Sequence, residues 1–175
     1  MKKLYRIIRY DWPMHFILLL TNWLPDNIVF LRLRGFLIRP FLKICGKNFR
    51  VGRNVVFYNP SKLSIGKDVY IAFGCWLSSG GGINIEDEVT IGPYCSITSG
   101  SHKRVNGSYF NTGSTYDPVI IGKGSWIGSH CVITAGCNLG NGSVLGAGAV
   151  CVEDVPDNSL VAGVPARVIK KIDSA

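Results

Sequence analysis

Residues 121–151 read IGKGSW IGSHCV ITAGCN LGNGSV LGAGAV C, and this stretch decides the fold. Cut into sixes, it opens each time on an aliphatic residue or a cysteine: Ile121, Ile127, Ile133, Leu139, Leu145 and Cys151. The next position is repeatedly glycine: Gly122, Gly128, Gly140 and Gly146. A period of six matches neither the 3.6 residues of an α-helix nor the alternation of an isolated strand. It matches short strands joined by tight turns, three to a triangular coil of about 18 residues, each coil burying its inward side chains against its neighbours. The expected fold is therefore all-β, a stack of three-sided coils.

The same lattice extends upstream. Leading positions run Cys45, Val51, Phe57 and Leu63, slip by two to Ile65, Ile71 and Leu77, and slip again to Ile85, Ile91 and Ile97. The slips are 20 residues apart, so the extra residues are expected to stack on one corner of successive coils. The fifth position of each six is a second inward candidate. It is mostly small or β-branched, as a crowded corner requires: Phe49, Val55, Ser61, Val69, Cys75, Gly81, Val89, Cys95 and Ser101, then Ser125 through Val155. All six cysteines fall on this lattice, Cys45 and Cys151 leading, Cys75, Cys95, Cys131 and Cys137 fifth. No C-x-x-C pair is present, so they read as core filler in a reducing compartment rather than as nucleophiles or metal ligands.

The lattice breaks after His102 and resumes near Val119. Between them lies Lys103–Pro118, polar and rich in Gly, Asn and Ser. A long insertion in a compact repeat is commonly functional. His102 stands at its mouth, where the lattice turns its side chain outward, and an imidazole there is suited to take a proton from an acceptor near neutral pH. His130 occupies a turn position of its six and reads as a surface histidine. His15 lies in the apolar head.

Charge is unevenly placed. Residues 1–50 hold ten Lys/Arg against two Asp, whereas residues 51–175 hold nine Lys/Arg against nine Asp/Glu. A neutral body excludes the basic stripe of a nucleic-acid reader. A basic, apolar head fits contact with an anionic membrane surface, and a packed helical cap explains the same alternation of Arg32, Arg34, Arg39 and Lys43 with Leu31, Leu33, Phe36, Leu37 and Phe41. Pro13, Pro25 and Asp26 interrupt what would otherwise be a membrane span. No secretory signal is evident, and the expected location is cytoplasmic, with peripheral contact at the inner membrane face. The organisation expected is a helical segment over 1–44, the repeat over 45–156 with its loop at 103–118, and a tail over 157–175.

The sixes, the segment Thr98-Ser-Gly-Ser-His102, the run Trp126-Ile-Gly-Ser-His130, the run Leu145-Gly-Ala-Gly-Ala149 and the end Val161-Ala-Gly-Val-Pro-Ala-Arg167 resemble the hexapeptide-repeat acyltransferases, nearest to the maltose and galactoside O-acetyltransferases and the polysaccharide O-acetyltransferases. That resemblance implies a left-handed parallel β-helix, a homotrimer with sites between subunits, acetyl-CoA as co-substrate and no required metal. It implies His102 as the general base, Trp126 lining the site, Ser129 and Ala147 beside CoA, and Arg167 near its phosphates. The implied reaction is direct acetyl transfer to a sugar hydroxyl of a cell-surface polysaccharide precursor. Two departures bear on the acceptor. The asparagine expected about 30 residues before the histidine is Ala72, with Phe73 beside it, and the N-terminal segment is of a different kind. Lys103 follows His102 where many sugar N-acetyltransferases of this fold place an acid, which favours O-acetylation over N-acetylation; an antibiotic (streptogramin-type) acetyltransferase is a further relative with the same chemistry. A γ-type carbonic anhydrase needs three zinc histidines, and only His102 and His130 lie in the repeat. A non-catalytic β-helix scaffold is the reading from another class, and it predicts no CoA binding.

Overall fold

The structure, a computed structural model, describes residues 2–172. From Ile44 the chain winds into a three-sided parallel β-helix. Face A stacks Ile44–Cys45, Leu63–Ile65, Ile83–Ile85, Val119–Ile121 and Asn138–Leu139. Face B stacks Arg50–Val51, Tyr70–Ile71, Thr90–Ile91, Trp126–Ile127, Val144–Leu145 and Ser159–Ala162. Face C stacks Val56–Tyr58, Trp76–Ser78, Ser96–Thr98, Val132–Ile133 and Val150–Cys151. The leading residues of the sixes form the core: Val51, Ile71, Ile91, Ile127 and Leu145 are fully buried in one column on face B. Phe57 and Cys45, in the first coil, are only half-buried.

The register explains the slips. Cys45 lies beside Ile65 and Ile65 beside Ile85, an offset of 20 residues, whereas Ile121 lies beside Leu139, an offset of 18. The two additional residues sit where face C turns into face A, after Tyr58 and again after Ser78. The extra residues therefore share one corner, as expected. One inward expectation fails there. Ser61, Gly81 and Ser101 do not point into the core; Pro60, Ser79 and Ser99 are the buried residues. The added residues shift the phase of the six before the next strand begins. Ser99 compensates its burial by donating to the carbonyl of Ser78 (3.0 Å) and accepting from the N–H of Gly81 (2.9 Å).

Glycine after a leading residue reflects the closeness of stacked coils. A Cβ at Gly128 would lie 2.6 Å from the backbone nitrogen of Ala147, and one at Gly52 would lie 2.6 Å from that of Phe73. The lattice also continues past residue 156. Ser159–Ala162 adds a parallel strand to face B, and Arg167–Lys171 returns antiparallel beside it.

The N-terminal segment is helical and closes the first coil. Helix α1 (Lys2–Arg6) runs through a π-helical turn (Ile7–Asp11) into α2 (Trp12–Thr21), and α3 (Ile28–Ile38) follows, its N-terminus capped by the Asn27 side chain. Met14, Leu18, Ile38, Phe41 and Leu42 join the core cluster of the β-helix. Of the cations that alternate with apolar residues here, Arg34 does not reach the surface. It is fully buried, with Nη1 donating to Asp26 Oδ1 (2.7 Å) and to the Val51 carbonyl (3.1 Å), and Nη2 to the Leu24 carbonyl (2.6 Å). A charge in that position is tolerable only with its donors satisfied, and these bonds tie the cap to the first coil.

Candidate functional site

The excursion from the lattice is a β-hairpin rather than an unstructured loop. Gly100–His102 pairs antiparallel with Ser114–Tyr116, placing His102 opposite Ser114. The chain thus leaves the coil at Ser99, three residues before the break expected from the sixes, and His102 belongs to the hairpin stem. Beyond it the N–H of Lys103 donates to the Gly113 carbonyl (3.1 Å), Thr112 Oγ1 donates to the Lys103 carbonyl, and Val105 and Ser108 exchange backbone bonds (2.9 and 3.0 Å). These bonds order the approach to His102. Its side chain is exposed in a shallow depression shared with Tyr109, Phe110, Asn111, Thr112 and Ser114. Phe110 is 82% exposed, an apolar side chain that no described residue covers.

The other four candidates collect elsewhere. Trp126 projects from face B, 54% exposed, in register with Thr90 and Val144. Ser129 lies on the corner between faces B and C, and its carbonyl accepts from the N–H of Gly148 on the next coil (2.8 Å), which sets Ala147 alongside it. Arg167 pairs with Ala162 at the end of face B; its Nη1 is 3.5 Å from Glu153 Oε2 and the guanidinium stays exposed. Trp126 and Arg167 are three strand steps of about 4.8 Å apart and offset by two residues along the strand, roughly 16 Å in all. Ala147 and Gly148 are exposed, and a Cβ at Gly148 would meet nothing within 4 Å. The result is an open strip, flat over its small residues, bounded by an indole at one end and a guanidinium at the other.

His102 and this strip are not brought together within one chain. The hairpin leaves the corner between faces C and A, and the strip follows the corner between B and C. Face C lies between them, from the corner at Ser129 to the corner at Thr134.

A row of stacked side chains on the same B–C corner was not legible in the sixes. Arg53 lies over Phe73 (5.7 Å), Phe73 meets Tyr94 edge-on (5.3 Å), and Tyr94 stacks on His130 (5.0 Å, 18°). Tyr94 and His130 share a left-handed backbone conformation, φ 58° and 56°, one coil apart. His130 is thus a surface turn residue whose neighbour is fixed by the coil repeat. The signal lies in the 20-residue offset, which sets position 53 under position 73 and position 74, next to Phe73, under position 94. Ala72, where the resemblance expects an asparagine, is buried on this corner.

The cysteines line the interior. Cys75, Cys95 and Cys131 donate to the carbonyls of Gly92, Gly128 and Gly146 (3.1, 3.0 and 3.1 Å). A hydrogen bond with Cys95 and burial push the Cys131 thiol up, and a hydrogen bond with Cys137 and burial do the same for Cys151. Burial lifts half-buried Cys45 to about 11, against a smaller opposing pull from Arg39. Cys45, Cys131 and Cys151 are thus poor sources of thiolate at neutral pH. Among the described residues no group of three or more His, Cys, Asp or Glu is placed to hold a metal ion.

Residues 118–152 match the family model described as bacterial transferase hexapeptide (six repeats). The galactoside O-acetyltransferase of Escherichia coli K12 is 36% identical over 141 residues, 80% of this chain and 69% of the relative. The chain belongs to the hexapeptide-repeat acetyltransferases. Among solved structures, the maltose O-acetyltransferase of Clostridium difficile 630 superposes with a TM-score of 0.84 at 27% identity, covering 96% of this chain and 89% of that one. A hexapeptide-repeat acetyltransferase of Vibrio cholerae, solved with acetyl coenzyme A, superposes with a TM-score of 0.82 at 26% identity, covering 93% and 86%. As a hexapeptide-repeat acetyltransferase, the chain has the fold expected for it, a parallel β-helix with a short helical segment at its N-terminus.

Proposed function

We propose that this acetyltransferase moves an acetyl group from acetyl-CoA to a sugar hydroxyl, with His102 as general base. The observation that carries the reading is an exposed imidazole held on an ordered hairpin stem, on a lattice whose family transfers acetyl groups. His102 takes the proton of the acceptor hydroxyl as its oxygen attacks the thioester carbonyl; the carbon–sulfur bond breaks and CoA leaves as the thiol after proton transfer. Ser129 and Ala147 lie beside the CoA chain, Trp126 packs against it, and Arg167 meets its phosphates, a role suited to a guanidinium.

Separation of His102 from the strip supports a site shared between copies, one supplying the hairpin and its neighbour the strip, in a homotrimer. The exposed Phe110 tip then acquires a partner. The acceptor side supports a glycan precursor over a free disaccharide. Ala72 offers no side-chain hydrogen bond, and Phe73, Tyr94 and Arg53 present ring faces and a cation in its place. The working location is cytoplasmic, where acetyl-CoA is made.

The test is His102→Ala with acetyl-CoA and a panel of glycan and nucleotide-sugar acceptors, following release of the CoA thiol. Turnover should fall by about 10²–10⁴. Turnover equal to wild type would remove His102 from the mechanism. No thermal shift with CoA would favour the scaffold reading instead.

A further inference from the structure

The helical cap has two apolar sides, and the β-helix covers one. Met14, Leu18, Ile38, Phe41 and Leu42 face the first coil and join its core. The opposite sides of the helices therefore look off the N-terminal end of the prism. On that outer side Leu4, Ile8, Trp12, Phe16, Leu20 and Trp23 follow one another at helical spacing, each more than half exposed, Trp23 to 78%. Helix α3 adds Val29 and Phe36, 64% and 69% exposed. A continuous apolar stripe of this length marks a surface made to be covered.

Charge identifies what covers it. Residues 1–44 carry eight Lys/Arg against two Asp. Both acids already face arginines: Asp11 lies 3.8 Å from Arg6, and Asp26 lies 2.7 Å from Arg34. Among the described residues no acid pairs with Arg9, Arg32, Arg39 or Lys43, and Arg32, Arg39 and Lys47 lie with the exposed Phe36 beside a surface pocket. Beyond residue 50 acids and bases balance, so the excess is local to the cap. Two exposed indoles on the stripe suit the headgroup zone of a bilayer, where an amphipathic ring has both apolar and hydrated neighbours. Among the described residues no helix is long and apolar enough to cross a membrane.

We infer that the outer face of the helical cap docks on an anionic lipid bilayer, lying in its surface with the apolar stripe inserted and the arginines and lysines at the phosphates. This inference is independent of the assignment of His102.

The full-length protein is floated with vesicles of phosphatidylcholine alone and of phosphatidylcholine with phosphatidylglycerol, at low and high salt. Binding to the anionic vesicles should exceed binding to the zwitterionic ones by about tenfold or more and weaken with salt. The Trp12→Ser/Phe16→Ser/Trp23→Ser variant, checked by circular dichroism for an intact fold, should lose most of it. Brominated lipids should quench part of the wild-type tryptophan fluorescence, which tests insertion without any substitution. Wild-type protein left unbound by the anionic vesicles, or a folded triple variant that binds as wild type does, overturns the inference. So does absence of vesicle binding together with a lower mass of the variant in light scattering, which would assign the stripe to contact between copies. None of these outcomes bears on turnover by His102.

Discussion

Two corners of the same prism follow opposite rules. Four residues make every turn from face B to face C, at 52–55, 72–75, 92–95, 128–131 and 146–149. The turn from face C to face A changes along the stack. It carries two extra residues after Tyr58 and Ser78, the hairpin after Thr98, and a plain turn after Ile133. The uniform corner produces a straight edge, so that equivalent atoms of successive coils lie in line and a long ligand can contact several coils. The variable corner lifts chain clear of the lattice, and only there does a side chain such as His102 stand away from the body. On the proposed function, repetition builds the edge that would bind CoA, and interruption of the repeat builds the one that would carry the base.

Experiments that act on one corner and spare the other sharpen this contrast. Largest is the loss of turnover in His102→Ala, which should leave stability within about 0.5 kcal/mol of wild type because the residue is exposed. A melting temperature that falls along with activity would mean that the hairpin stem is structural. Next is Gly128→Val on the uniform corner. Its Cβ would meet the Ala147 backbone at 2.6 Å, and backbone there cannot move without disturbing the stack. A loss of about 3 kcal/mol is expected, roughly 6–12 °C in melting temperature. By contrast Gly113→Ala, in the hairpin at φ 83° with open space around it, should cost only about 1 kcal/mol for the left-handed backbone. Equal effects at the two glycines would break the contrast.

Alkylation of the native protein reads the interior. The Cys45 thiol, lifted to about 11 by burial, holds less thiolate at pH 8 than an ordinary cysteine, because a raised thiol pKa favours the neutral form. Its reaction with iodoacetamide should run roughly a hundredfold slower than that of a free thiol and rise about tenfold per pH unit until the pKa is approached. Mass spectrometry should find Cys75, Cys95 and Cys131 unmodified until the fold is melted. The smallest effect is expected from Arg167→Ala, a rise of about tenfold in KM for acetyl-CoA at unchanged kcat. A fall in kcat instead would move Arg167 from binding the nucleotide end to acting in the transition state.

Much of this was legible in the order of residues, because the repeat is local. A leading aliphatic, a glycine and a small fifth residue recur every six positions, and the backbone needs nothing distant to turn that pattern into stacked strands. The spacing of the slips placed the extra residues on one corner for the same reason. What the sixes could not yield depends on groups far apart in the chain. Ser79 and Ser99 replaced Gly81 and Ser101 in the core because the phase of a turn is set by the strand that receives it. The insertion became a hairpin because Gly100–His102 met Ser114–Tyr116 across eleven intervening residues. Arg34 looked like one more surface cation until Asp26 and the carbonyls of Leu24 and Val51 closed around it. The lattice, the small-residue edge and the histidine at its interruption were all readable from the order of residues. That His102 and the Trp126–Arg167 strip lie on different edges emerged from the folded chain alone, since the angle between faces is a property of the closed triangle and not of any single six.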